Sequence, residues 1–320
     1  MRIGYPCINR SLPCRGNRTF RLASYSEARL IEAVTENLAC LGEMLAFNDA
    51  HNMRYFRITS DLVPFASHPV CRFDWAGCFR EEFAALGRQV LEGDFRITMH
   101  PDQFTLLNSP DRDVFRRSVK ELEYHAGVLD AMGLDATARI QIHVGGVYGD
   151  RPGSLRRFVE RFRELPEDVR RRLTVENDER LYPLADCLSL HGETGAPVLF
   201  DAFHHAILNG GESLADALAA AGRTWGPADG PTLVDYSSQQ PGQRAGTHAE
   251  SLDEADFARF LRESQPHDFD LMLEIKDKER SALRALALAA GDPRLRSCKS
   301  DGSSRAFSRG GAETAEGDSR

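Results

Sequence analysis

No apolar run in the 320-residue chain approaches the roughly 18 residues of a membrane-spanning helix, and the start, MRIGYPCINR, lacks the continuous apolar core of a signal peptide. A soluble, intracellular protein of the cytoplasm is the expectation. Cysteine is sparse and unpatterned. The seven, Cys7, Cys14, Cys40, Cys71, Cys78, Cys187 and Cys298, are odd in number and contain no C-x-x-C pair. That argues against a zinc ribbon, and for a reducing compartment rather than a disulfide framework. Basic charge is in deficit, with 40 Lys and Arg against 48 Asp and Glu and a formal net charge of −8. A general nucleic-acid binder usually carries a basic footprint instead. No internal repeat is visible.

What the chain does have is unevenly distributed. Residues 1–26 hold Arg2, Arg10, Arg15, Arg18 and Arg21 and no acidic residue, a local charge of +5. Such a segment is either a basic surface loop or a contact for anionic ligands. At 42% hydrophobic, the chain can bury one large core. Eight short β-rich runs alternate with longer helical patterns: RIGYP, RYFRITS, FRITMH, RIQIHVG, LTVEND, PVLFDAFH, TLVDYSS and DLMLEIK. Between the first two lies an amphipathic segment, Glu27 to Asn48, with Leu30, Val34, Leu38, Leu41 and Leu45 on one stripe. Repeated strand-then-helix units predict an α/β fold, a single (β/α)8 TIM barrel over residues 1–295. The last helix is expected from about Lys278 to Ala290. Residues 296–320, rich in Gly, Ser and charge, are expected to be a disordered tail.

In such barrels the active site lies at the carboxyl ends of the strands. Here His100 closes the third run, His143 stands late in the fourth and Glu176 late in the fifth. Asp201 and His204 close the sixth, Asp235 ends the seventh with His248 in the loop beyond, and Glu274 closes the eighth. For any one of these, a cap or a loop hydrogen bond is the simpler account. Together they would crowd several carboxylates, whose repulsion calls for cations or protons. Imidazole and carboxylate ligands without thiolate fit Zn2+, Mn2+ or Fe2+ better than Ca2+, and ligand type alone does not choose among those three. More than four candidate ligands imply more than one ion, an arrangement suited to phosphodiester hydrolysis.

The segments RIGYPCIN, HPDQF, IHVGG, TVEND, DAFHH, DYSSQ and LEIKDKE, in this order from residue 2 to about residue 285, resemble the UV damage endonuclease family. The wider relatives are endonuclease IV-type and xylose isomerase-like barrels. The resemblance implies a nuclease that nicks double-stranded DNA immediately 5′ to cyclobutane pyrimidine dimers, (6-4) photoproducts or abasic sites. Metal-activated hydroxide would leave a 3′-hydroxyl and a 5′-phosphate, without ATP. It further implies up to three divalent ions, Mn2+ favoured over Zn2+, Mg2+ or Fe2+. His100, His143 and Glu176 would hold one, with Glu176 bridging to a second held by Asp201, Asp235 and Glu274, and His204 and His248 would hold a third. Gln103 and Phe104 would enter the duplex at the lesion, Tyr5 and Asn9 would line the pocket for the flipped dinucleotide, and His68 would lie near the scissile phosphate. Glu176 and His68 are thus the expected catalytic residues of a monomer acting at the nucleoid, with no membrane and no obligate protein partner.

The chain departs from the family at its seventh strand, where Leu233, Val234 and Asp235 stand in place of Lys-x-His. Leu233 cannot act as a modified lysine near the metals, whereas Asp235 still offers oxygen to a cation. Two other readings stand beside the nuclease: a sugar isomerase or epimerase on the same barrel, and a non-catalytic lesion-binding protein.

Overall fold

The computed structural model describes residues 1–296. Eight strands, β1 Ile3–Pro6, β2 Tyr55–Ile58, β3 Arg96–Met99, β4 Arg139–His143, β5 Leu173–Glu176, β6 Val198–Asp201, β7 Leu233–Tyr236 and β8 Asp270–Leu273, pair in parallel in sequence order and close on themselves. The helices, in chain order, are α1 Glu27–Ala50, α2 Trp75–Cys78, α3 Arg80–Glu92, α4 Arg112–Ala131, α5 Arg151–Glu164, α6 Glu167–Arg170, α7 Leu184–Thr194, α8 Ala202–Ile207, α9 Leu214–Gly222, α10 Glu254–Glu263 and α11 Glu279–Leu288. This is the expected (β/α)8 barrel. The expected disordered tail falls outside the described residues, except for Arg296. None of the described helices is long and apolar enough to cross a membrane.

Several helices start at a local signal. Ser26 caps α1 by accepting from Arg29 N (3.3 Å), and all five residues of the predicted stripe, Leu30 to Leu45, are buried. Asp111 caps α4 in the same way, and Asp201, the last residue of β6, caps α8. Glycine is required where β1 meets β2: a Cβ on Gly4 would lie 1.5 Å from the Tyr55 carbonyl oxygen.

Along the strands, alternate residues turn inward. The outward set, such as Phe56, Ile140, Ile142, Val175, Phe200 and Val234, joins the large core against the helices, whereas Tyr55, Leu199, Leu233 and Met272 form a separate apolar plug inside the barrel. Below the plug, Arg96 and Arg139 lie over the Trp225 ring at 5.7 and 5.3 Å, and Arg2 pairs with Asp270 at 2.9 Å. The strand register sets His143 beside Glu176 and Asp201 beside Asp235. One step above the plug, the same inward alternation therefore presents a polar layer at the carboxyl ends of the strands.

One cysteine expectation is corrected. Cys14 and Cys40 form a disulfide, because the loop after β1 folds back over α1 and brings their Cα atoms to 5.8 Å. Cys7, Cys71, Cys78 and Cys187 are free.

Candidate metal centre

The barrel gathers six of the predicted ligands directly. His100 immediately follows β3, His143 and Glu176 end β4 and β5, Asp201 ends β6, Asp235 is third in β7, and Glu274 immediately follows β8. Their ligand atoms fall into three groups, each within 4.8 Å: His100, His143 and Glu176; Glu176, Asp201 and His204; and Asp201, Asp235 and Glu274. Glu176 belongs to two groups, as does Asp201. Glu176 stands 3.4 Å from His100 Nε2, 3.9 Å from His143 Nε2 and 3.6 Å from His204 Nδ1.

His204 is delivered by the first turn of α8, where its backbone N–H donates to Asp201 Oδ1 at 2.7 Å. Its Nδ1 lies 3.0 Å from the Asn177 carbonyl, which fixes the proton on that nitrogen and leaves Nε2 as the available lone pair. His248 repeats the device, with Nδ1 2.7 Å from the Glu274 carbonyl. Its ring centroid is 6.3 Å from that of His204. Glu179, which sequence reasoning did not single out, stands 3.7 Å from His204 Nε2.

Two further residues missed by sequence reasoning organise the carboxylates. Arg57, inward on β2 and only 3% exposed, pairs with Asp235 Oδ2 at 2.6 Å and with Glu274. Gln141, inward on β4, donates to Glu176 Oε2 and Asp235 Oδ2, both at 2.9 Å. Gln141 stands two places before His143 on the same face of β4, whereas nothing beside Arg57 in the sequence marks it.

These contacts set the protonation pattern. Burial pushes Glu176 up, but His143, His100 and His204 outweigh it and hold the carboxyl well below its usual range. For Glu274, burial is likewise overcome, chiefly by Arg57, and its pKa falls to about 2. Asp201 goes the other way, raised well above normal by burial and by Glu176, Glu274 and Asp235 against the pull of His204. Asp235 rises to about 7 through burial, Arg57 notwithstanding. The Arg57 contact alone would lower Asp235; burial outweighs it, and the neighbouring Glu274 and Glu176 carboxylates add to the rise.

The residues fit divalent cations. Asp235 Oδ1 is buried without a hydrogen-bond partner while Oδ2 accepts from both Arg57 and Gln141, so Oδ1 keeps its lone pairs available to a cation. The donor set is imidazole and carboxylate without thiolate.

Other expected site residues are distributed around the centre. Gln103 shares a cavity of about 440 Å3 with His100, His143 and His204. Phe104, 71% exposed, projects from the same loop, held by Asp102 Oδ1 accepting from Phe104 N at 2.8 Å. On the far side of that loop, His68 and Phe104 line a second cavity of about 370 Å3, so His68 is not brought into the ligand cluster. Tyr5 and Asn9 are not exposed at the ligand cluster. Both are fully buried, with the Tyr5 hydroxyl donating to Asn48 Oδ1 (2.7 Å) and accepting from Asn9 Nδ2 (2.9 Å). Asn9 meanwhile accepts from Ser11 N and Leu12 N, so the pair staples the loop after β1. The basic segment is also partly committed: Arg2 pairs with Asp94 and Asp270, and Arg18 with Glu32 and Glu36.

A family model described as UV-endonuclease UvdE matches residues 1–300. The UV DNA damage endonuclease of Clostridium perfringens is 33% identical over 288 residues, covering 89% of this chain and 70% of the relative. The crystal structure of SacUVDE superimposes with a TM-score of 0.87 at 43% identity, covering 91% of this chain and 98% of that one. Endonuclease IV from Thermus thermophilus shares the barrel fold alone, at a TM-score of 0.53 and 16% identity.

Proposed function

The chain belongs to the UV-endonuclease UvdE family, and from that premise we propose that it nicks double-stranded DNA immediately 5′ to UV photolesions, leaving a 3′-hydroxyl and a 5′-phosphate. Cyclobutane pyrimidine dimers and (6-4) photoproducts are the primary substrates, with abasic sites accepted more broadly. The observation that carries the reading is the sharing of Glu176 and Asp201 between neighbouring ligand groups. Carboxylates shared between neighbouring ligand groups would suit a site that holds more than one divalent ion, the kind of site used for phosphodiester hydrolysis. A sugar isomerase or a non-catalytic binder finds no such support in the family.

In this proposal His100, His143 and Glu176 would hold one ion, Glu176, Asp201, Asp235 and Glu274 a second, and His204 and His248 a third with Glu179 beside it. Mn2+ is the preferred ion, and ATP has no part. Bound divalent ions supply Lewis acidity toward the phosphate and an ionised water. Arg57 and Gln141 bind one oxygen of Asp235 and so aim the other at the cluster. The Asn177 and Glu274 carbonyls fix the tautomers of His204 and His248. Phe104 replaces base stacking lost at the lesion, worth about 1–3 kcal/mol, while Gln103 bonds orphaned base edges. His68 meets the DNA from the other side of their loop. A damaged, weakly stacked site costs least to open, which gives selectivity without sequence reading. The protein acts as a monomer in the cytoplasm, at the nucleoid.

The test is incision of an end-labelled duplex carrying one cyclobutane dimer, against an undamaged duplex, with Mn2+ and then with chelator. Metal-dependent cutting just 5′ to the dimer supports the proposal. Equal cutting of both duplexes, or cutting that survives chelation, overturns it.

A further inference from the structure

Of the seven tyrosines, six are buried or half-buried, and Tyr148 alone is exposed, at 46%. It lies in the loop between β4 and α5 and borders the 440 Å3 cavity lined by His100, His143, His204, Gln103 and Leu181. Its backbone is left-handed, φ +52°, between Gly145 at +110° and Gly149 at +76°. A bulky aromatic residue keeps that conformation only where the surrounding structure imposes it, and such positions cluster at functional sites.

The imposition is visible. The ring rests on the Gly146 backbone, where an added Cβ would lie 2.7 Å from the ring Cζ. Gly146 is itself clamped: its carbonyl accepts from Asn108 Nδ2 (2.8 Å) and the Tyr182 hydroxyl (2.9 Å), and its N–H donates to Asn108 Oδ1 (3.2 Å). The Arg157 guanidinium lies 5.7 Å from the ring centroid and is anchored by Nε to the Asn108 carbonyl at 2.6 Å. Across the cavity mouth, Asp178 Oδ1 accepts from Arg180 N and Leu181 N, which holds Leu181 at 38% exposure. The tyrosine hydroxyl has no hydrogen-bond partner among the described residues, so its polar tip is not used by the fold.

We infer that Tyr148 is a stacking platform for one nucleobase of the bound DNA, at the mouth of the cavity beside the metal ligands and opposite Gln103. This rests on the reading that the chain acts on duplex DNA, and it adds an exposed aromatic to the buried Tyr5. A nucleobase has the flat apolar face the ring accepts, and stacking needs no sequence-specific contact. The platform is rigid before binding, so little ordering entropy is lost when a base arrives.

The test uses the metal-loaded full chain and a duplex containing one cyclobutane dimer with a methylphosphonate at the 5′ incision position, read by fluorescence anisotropy. Tyr148→Ala and Tyr148→Gly are expected to weaken binding about 5- to 100-fold, and Tyr148→Phe to stay within about 2-fold, with metal content unchanged. Tyr148→Gly is also expected to melt no lower than wild type, because glycine relieves the left-handed backbone. Wild-type affinity in both the Ala and Gly variants overturns the inference while leaving the nuclease reading standing, and so does a loss of affinity in Tyr148→Gly that tracks a lower Tm. Failure of the wild type to prefer the lesion duplex overturns both.

Discussion

Replacing Arg57 with methionine removes the guanidinium that pairs with the strand-end carboxylates Asp235 and Glu274 while nearly conserving side-chain volume. In the wild type this group is almost fully buried and pairs with both Asp235 and Glu274. Removing one partner of a buried ion pair costs about 3–5 kcal/mol, because the remaining charge is left uncompensated. At roughly 2–4 °C per kcal/mol for a chain of this size, chelated Arg57→Met should melt about 6–20 °C below chelated wild type. Saturating Mn2+ should recover much of that loss, since the ions supply the missing positive charge. Lowering the pH toward 6 should recover part of it too, because Asp235, already raised to about 7, then takes a proton. The assay is thermal unfolding of both proteins with chelator and with metal, at pH 6 and pH 8. Chelated Arg57→Met melting within about 2 °C of wild type at pH 8 would refute the reasoning that Arg57 compensates the carboxylates.

Three other outcomes follow from the same geometry. Asp235 (about 7) and His204 (about 9) both have raised pKa values, so each stabilises the chelated protein most at low pH. That stability is lost as pH rises through these values: chelated Tm should fall between about pH 5 and pH 9, and metal should flatten the profile because it binds the deprotonated forms. Phe104→Ala should weaken binding to a dimer-containing duplex about 5- to 100-fold without changing metal content, whereas an unchanged affinity would remove the wedge from the account. Cys14→Ser opens a closure of 26 residues and should destabilise the oxidised protein by about 3–4 kcal/mol on the chain-entropy scale, measured by denaturant unfolding.

The barrel was legible because eight short β-rich runs alternate with amphipathic segments, and a closed parallel sheet is the arrangement that buries both faces of such strands. Glu176, Asp201 and Glu274 were legible because the carboxyl end of a barrel strand is a place the fold fixes. Arg57 and Gln141 were not, since their meaning depends on which face of β2 and β4 points inward and on contacts across the barrel to β7, and one-dimensional spacing does not carry either. The surroundings of Tyr5 were hidden for a related reason. Its motif puts it on the first strand, but only the packing of Asn9 and Asn48 shows the hydroxyl turned into the interior. The Cys14–Cys40 pair was hidden by an odd cysteine count and by a loop whose return over α1 has no local signature.

The most direct test of the central claim, that Glu176 joins the ions that cut DNA, is single-turnover incision by Glu176→Gln with bound metal counted on the same sample. The variant keeps the shape and loses the charge that three imidazoles face. The account predicts that at least one ion is lost and that incision 5′ to a cyclobutane dimer falls at least about 1,000-fold, as expected when ligand charge at a metal nuclease centre is removed. Incision at the wild-type rate, or full metal content, would contradict it.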